Sequence, residues 1–260
     1  TDPMTYYHSG MDREAYIQML GEEGSAGLVT VPWLLEDELI RAYMNYPDVP
    51  LALDSGAFQR LTSPSAFIRD LCMIEQGLLH DAGIGLDRFD WIAGLDVIGD
   101  QDTTDRYYKR VSAACGEVLW VYQVEGGKPP EHITSFAESG DLIGVGGLVP
   151  LLRTRTEEAA QRIESIGRVL HRIGARAHFF GVGSPRILTR YADAAWFASA
   201  DSSKWMNGLK ERRLYLPDGG SILAGKAGLS LTGLECGRQN IRQIDQWAAG
   251  GIERTLFAAA

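Results

Sequence analysis

The residues best suited to chemistry in this chain stand at the ends of short apolar runs. Leu51-Ala52-Leu53 closes on Asp54-Ser55-Gly56-Ala57-Phe58-Gln59, and Trp91-Ile92-Ala93-Gly94-Leu95 closes on Asp96. Val118-Leu119-Trp120-Val121-Tyr122 ends in Gln123, and Leu142-Ile143-Gly144-Val145 ends in Gly146-Gly147-Leu148. Ala177-His178-Phe179-Phe180 runs into Gly181-Val182-Gly183-Ser184-Pro185, and the run ending at Ala200 is followed by Asp201-Ser202-Ser203-Lys204-Trp205. One carboxylate at such a position can trap an oxocarbenium-like centre as a covalent intermediate. A second can protonate a leaving group and deprotonate an incoming one. Retaining glycosidases hold two such groups about 5 Å apart, which is the expectation for Asp54 and Asp201.

The runs themselves read as buried strands: short, aromatic or β-branched in part, and bounded by turn residues. Helical patterns lie between them. From Thr156 to Ile173 an apolar stripe passes through Ala159, Ile163, Ile166, Val169, Leu170 and Ile173, with Thr156 as its start and Gly174 as its stop. Strands alternating with helices, and strands apolar on both faces, predict a parallel sheet covered on both sides. A doubly wound sheet gathers its ligand site at one switch point. Here at least five strand ends carry functional-looking residues, which favours the mouth of a TIM (β/α)₈ barrel. That fold takes about 250 residues, and the chain has 260. The first strand is placed near residues 27–31, and residues 222–224 and 255–257 compete for the last.

Composition fits one α/β domain over residues 1–260. Hydrophobic residues are 45% and charged residues 23%, near the soluble average. No apolar run reaches membrane-spanning length, no signal peptide is visible, and Thr1-Asp2-Pro3 ahead of Met4 reads as a cloning remnant. Cys72, Cys115 and Cys236 are too far apart for a zinc-type pair or a disulfide framework, so no metal and no other cofactor is expected, and a cytoplasmic setting is the simplest reading. The histidines show no ligand spacing, and His178, inside a strand, reads as a core histidine.

The strand ends also resemble a known family. Asp54-Ser55-Gly56-Ala57-Phe58-Gln59 resembles the DSGG(F/Y)Q motif of tRNA-guanine transglycosylases, and Gly146-Gly147-Leu148 their GGL segment. His178-Phe179-Phe180-Gly181-Val182-Gly183-Ser184-Pro185 is similar to their H-x-x-GVG-(T/S)-P segment, and Asp201 falls where they place a nucleophile. The motifs come in family order over residues 50–215. The resemblance implies a TIM barrel exchanging a guanine-type base on a nucleic acid for a 7-deazaguanine. It makes Asp201 the nucleophile and Asp54 the acid/base. It puts Ser55, Asp96, Gln123 and the Gly146-Gly147 backbone around the base edge, with Phe58 and Phe180 on its faces. Glu125 stands as the alternative to Gln123, because the family reads VQGG where this chain reads Gln123-Val124-Glu125-Gly126-Gly127.

Three departures bear on the substrate. Ala57 replaces the second motif glycine, the CxCxxC…H zinc site of the family is absent, and the loop after Asp201 differs. These features resemble the shorter zinc-lacking relatives that place 7-deazaguanines in DNA, so DNA is expected ahead of tRNA. The net charge of −9 and pI of about 5.1 argue against non-specific nucleic-acid binding. Basic residues nevertheless follow several strand ends, among them Arg60, Arg153, Arg155, Arg186, Arg190, Lys204, Arg212 and Arg213. Lys204, Arg212 and Arg213 are the expected phosphate contacts, with Trp205 positioned to stack or to pack. A homodimer or a partner protein is compatible with the sequence. An enzyme acting on free nucleosides is the alternative, and a non-catalytic 7-deazapurine-binding barrel is the third class, which the Asp54–Asp201 pair disfavours.

Each residue has a plainer role as well. An aspartate after a strand commonly caps a helix or forms a turn, and Asp100, Asp102 and Asp105 make the Asp96 loop acidic throughout. Phe58 and Phe180 would ordinarily be core residues.

Overall fold

The computed structural model describes residues 4–10, 12–35, 45–57, 62–83 and 85–250. Seven parallel strands form one sheet: β1 Thr5–Ser9, β2 Ala26–Thr30, β3 Leu51–Asp54, β4 Val121–Gln123, β5 Leu142–Gly146, β6 Arg176–Phe179 and β7 Phe197–Ser202. Their order is β3-β2-β1-β7-β6-β5-β4. Around the sheet run helices α1 Glu14–Glu23, α2 Val31–Leu34, α3 Pro64–Ala82, α4 Gln101–Cys115, α5 Val149–Thr154, α6 Thr156–Ile173, α7 Pro185–Tyr191, α8 Met206–Glu211 and α9 Gly233–Ala248.

The sheet is curled. Edge strand β3 on one side, and Leu119 just ahead of edge strand β4 on the other, both bond to the same short segment, residues 91–94. Leu53 N–H reaches the Trp91 carbonyl at 3.0 Å and Ala93 N–H the Leu53 carbonyl at 2.7 Å. On the other side Leu119 N–H reaches the Ile92 carbonyl at 2.7 Å and Gly94 N–H the Leu119 carbonyl at 2.8 Å. Side chains confirm the curvature, since the Trp91 ring, beside β3, lies 4.4 Å from the His178 ring on β6.

Strand β1 corrects the sequence reading, which began the sheet at residues 27–31. β1 lies between β2 and β7, so it is central. Its sequence, Thr5-Tyr6-Tyr7-His8-Ser9, has no aliphatic run. Tyr6 and His8 face the helices instead, where His8 Nε2 meets Asp245 Oδ1 of α9 at 2.9 Å and Ser25 Oγ donates to Asp245 Oδ2 at 2.6 Å. Residues 221–223 pair antiparallel with residues 213–215 in a separate hairpin, β8 Arg213–Tyr215 and β9 Ser221–Leu223. Residues 255–257 lie outside the described residues.

Helix α6 has the expected bounds, with Ala159, Ile163, Ile166, Val169 and Leu170 buried and Gly174 at φ +75° ending it. Its start differs in detail: the N-cap is Arg155, and Thr156 Oγ1 donates to the Leu152 carbonyl at 3.2 Å. Among the described residues no helix is long and apolar enough to cross a membrane.

Parallel neighbours share a face, and this decides which strand-end groups converge. Thr30 pairs with Asp54, Gln123 with Gly146, Gly144 with His178, His178 with Ser199, and Asp201 with Tyr7. These side chains therefore point to the inside of the curled sheet, while Val29, Leu53, Ile143, Val145 and Phe179 pack outward in the main core.

Candidate active site

Asp54 closes β3. Gly56, at φ +76°, turns the chain back on itself, and its N–H donates to Asp54 Oδ2 at 3.2 Å. A Cβ on Gly56 would lie 2.6 Å from Pro32 Cδ, so the motif glycine is required for close approach as well as for its dihedral. The turn aims Ser55 at the neighbouring segment, where its hydroxyl donates to Asp96 Oδ1 at 3.1 Å.

Asp96 is also held from the other side. Gln123 Nε2 donates to Asp96 Oδ2 at 2.6 Å. Gln123 is fully buried, and its backbone N–H donates to Gln101 Oε1 at 2.6 Å. Gln101 in turn donates to Asp105 Oδ1 at 2.8 Å, a carboxylate that also accepts from Trp120 Nε1 at 3.0 Å and lies 2.7 Å from His132 Nε2. Gln123 thus lies beside Asp96, whereas Glu125 is exposed in the following turn. Gly146 faces it: a Cβ there would stand 2.8 Å from Gln123 Nε2. Gly147 follows at φ +81°. Gln123 Oε1 is buried and has no hydrogen-bond partner among the described residues. A buried acceptor without a donor costs on the order of 1–3 kcal/mol, so this oxygen is suited to receiving a donor from a ligand.

Asp201, at the end of β7, is 5% exposed. Its Oδ1 accepts from Gly181 N–H at 2.8 Å and lies 3.3 Å from His178 Nε2. Oδ2 has no hydrogen-bond partner among the described residues. Asp201 is thus anchored through one carboxyl oxygen. Ser202, the next residue, is held by Tyr6, whose hydroxyl lies 2.7 Å from Ser202 Oγ.

The carboxyls sense each other. Burial pushes the Asp54 carboxyl up to about 7, with Asp96 and then Asp201 adding their negative charge. Burial also raises Asp96, against the hydrogen bonds from Ser55 and Gln123. Burial lowers the His178 imidazole, against the attraction of Asp201. Near neutral pH the site thus holds, in Asp54, a carboxyl able both to give and to take a proton, beside a His178 imidazole that burial keeps neutral.

Phe180 lies below this cluster, its ring 4.5 Å from His178 and 5.9 Å from Trp91. Gly144 makes room for it, since a Cβ there would meet Phe180 Cε2 at 2.7 Å. Phe58 and Arg60 lie outside the described residues. The rim departs from the expected row of free cations. Arg213 donates to Glu211 Oε2 at 2.9 Å and to Ser221 Oγ at 3.2 Å. Arg155, Arg186 and Arg190 face Glu158, Glu157 and Glu164. Lys204 is half-buried, and burial lowers its ammonium pKa. Arg212 is exposed, at φ +50°. Trp205 is fully buried with Nε1 donating to the Ser9 carbonyl at 2.8 Å, so it packs and does not present a stacking face.

Sequence reasoning missed Gln101, whereas its reading of His178 as a core histidine agrees with a ring that is fully buried with both nitrogens engaged. Gln101 carries no signal beyond its place at the start of α4. His178 stood in a motif, but only the register of β6 against β7 puts it beneath Asp201.

No family model and no curated protein matches the chain. A solved structure titled as that of the citrate synthase SbnG aligns with 77% of this chain and 86% of its own, at 14% identity and a TM-score of 0.47.

Proposed function

We propose that this chain is a base-exchange transglycosylase that replaces guanine with a 7-deazaguanine in DNA through a glycosyl-aspartate intermediate. We read the fold as a closed (β/α)₈ barrel in which residues 91–94 supply the strand between β3 and β4. The observation that carries the reading is that Asp201, held at Oδ1 by Gly181 N–H and His178, adds its negative charge to Asp54, whose carboxyl burial pushes up to about 7.

In the first half-reaction Asp201 Oδ2 attacks the anomeric carbon. The bond to guanine breaks, and the departing base takes a proton from Asp54. In the second, the incoming base gives a proton to the Asp54 carboxylate and attacks the same carbon, displacing Asp201. Two displacements retain configuration. Guanine and 7-deazaguanines present N–H donors along one edge. The Asp96 carboxylate and the unpartnered Gln123 Oε1 supply acceptors for them, with the Gly146-Gly147 backbone alongside. Phe180, with Phe58 as its expected opposite, gives the flat faces.

A second reading has its own support. Four of the rim cations, Arg155, Arg186, Arg190 and Arg213, are engaged by glutamates, which favours a substrate with few phosphates, a free nucleoside or nucleotide. The test is incubation with labelled guanine and, in parallel, guanine-containing DNA, tRNA and guanosine. Label entering DNA ahead of the others supports the proposal. Label entering guanosine alone moves the activity to small molecules, and no incorporation anywhere rejects base exchange.

A further inference from the structure

One buried titratable group remains outside the two half-reactions. His178 lies on the inner face of β6, fully buried, with both ring nitrogens engaged. Nδ1 is 2.9 Å from Ser199 Oγ and Nε2 is 3.3 Å from Asp201 Oδ1. The ring is fixed in place by aromatic edges, with Tyr7 at 5.8 Å, Trp91 at 4.4 Å and Phe180 at 4.5 Å. Ser199 and Asp201 are two residues apart on β7, so both point inward, and His178 bridges them from the adjacent strand.

We propose that His178 is a positioning residue that works through Asp201, with Asp201 selecting its tautomer and Ser199 satisfying the other ring nitrogen. A serine hydroxyl both donates and accepts, whereas the Asp201 carboxylate only accepts. Nε2 must therefore carry the hydrogen for the Asp201 contact, which leaves Nδ1 as an acceptor for Ser199 O–H. In that arrangement Gly181 N–H and His178 Nε2–H both grip Oδ1 and turn Oδ2 toward the substrate. Burial, which disfavours the imidazolium, keeps the ring neutral. The proposal rests on the transglycosylase reading for its consequence, and on the geometry alone for the tautomer.

Two measurements test it separately. The first is ¹⁵N NMR of the imidazoles in the free protein, with His178 assigned by its loss in His178→Gln. The expected result is a neutral Nε2–H tautomer, kept in Ser199→Ala and mixed with the Nδ1–H form in Asp201→Ala. An imidazolium or an Nδ1–H tautomer in the wild type would overturn the proposal whatever the enzyme does. The second is the rate of covalent capture of a guanine-containing oligodeoxynucleotide and of guanosine, alongside the Kd for free guanine. A glutamine amide places its nitrogen near the position of Nε2, so His178→Gln should capture within about fivefold of wild type. His178→Leu should be slower by about a hundredfold, as expected for a misplaced reacting group, with guanine Kd unchanged. Equal capture by the leucine variant, the glutamine variant and wild type sinks the positioning role. If the leucine variant does not fold, Asp201→Ala decides: an unaltered tautomer there overturns the selection by Asp201. Absence of any adduct in wild type rejects the transglycosylase reading, and the tautomer measurement still decides the hydrogen-bond assignment.

Discussion

Replacing Asp54 by asparagine should stabilise the protein while abolishing exchange, and the stabilisation should grow with pH. The Asp54 carboxyl is raised from 3.8 to about 7. Across that interval the folded protein holds a proton that the unfolded chain has released, so stability falls as pH rises. The loss begins near pH 4 and is complete just above pH 7. A rise of about three units, at about 1.4 kcal/mol each, sets a ceiling of about 4 kcal/mol. Asp54 keeps part of its surface at the mouth of the curled sheet. Solvent screening there brings the expected value to about 1–2 kcal/mol. Asparagine retains an oxygen for the Gly56 N–H and does not ionise. Thermal melts of both proteins at pH 4, 6 and 8 should show Asp54→Asn gaining about 2–6 °C at pH 8 and little at pH 4. A gap independent of pH, or a variant less stable than wild type at pH 8, would refute the assignment of the raised carboxyl to Asp54.

Other perturbations address the remaining parts of the site. Gly146→Ala puts a methyl 2.8 Å from Gln123 Nε2, and fluorescence titration should show guanine binding weakened by about tenfold to a hundredfold in a folded protein. Asp105→Ala strips the partner from Trp120 and Gln101, and denaturant unfolding should report a loss of about 2–4 kcal/mol. Adduct formation should decline above about pH 7 as Asp54 ionises, and Asp96→Asn should move that limb to lower pH by removing a negative charge, as read by single-turnover trapping across pH. If DNA is the substrate, Arg212→Ala should reduce the salt slope of binding by about one unit. Arg213→Ala should change it less, because Glu211 already engages that guanidinium.

How far the sequence reached depended on where the signal lay. Asp54, Asp96, Gln123, Gly146 and Asp201 each close a run that the alternation of apolar and turn residues makes visible, and the inner face gathers them. The α6 stripe fixed both helix ends because its period is unbroken and Gly174 stops it. β1 was invisible for the converse reason: Tyr6, Tyr7 and His8 are buried through hydrogen bonds to Ser202, Asp90 and Asp245 rather than by aliphatic character. Arg213 and Trp205 read as rim residues because a sequence does not reveal that Glu211 and the Ser9 carbonyl lie within reach. The bond between Gln101 and the Gln123 backbone joins a helix start to a strand, and no local pattern announces such a pairing.

The central claim is that Asp201 carries the sugar. Intact-protein mass spectrometry, after an acid quench of wild type and Asp201→Asn mixed with a guanine-containing oligodeoxynucleotide, tests it most directly. The account predicts a wild-type adduct heavier by the oligonucleotide less guanine, mapped to the peptide holding Asp201 and absent from the variant. An adduct that persists in Asp201→Asn, or labelled guanine exchanged at wild-type rate by that variant, would contradict it.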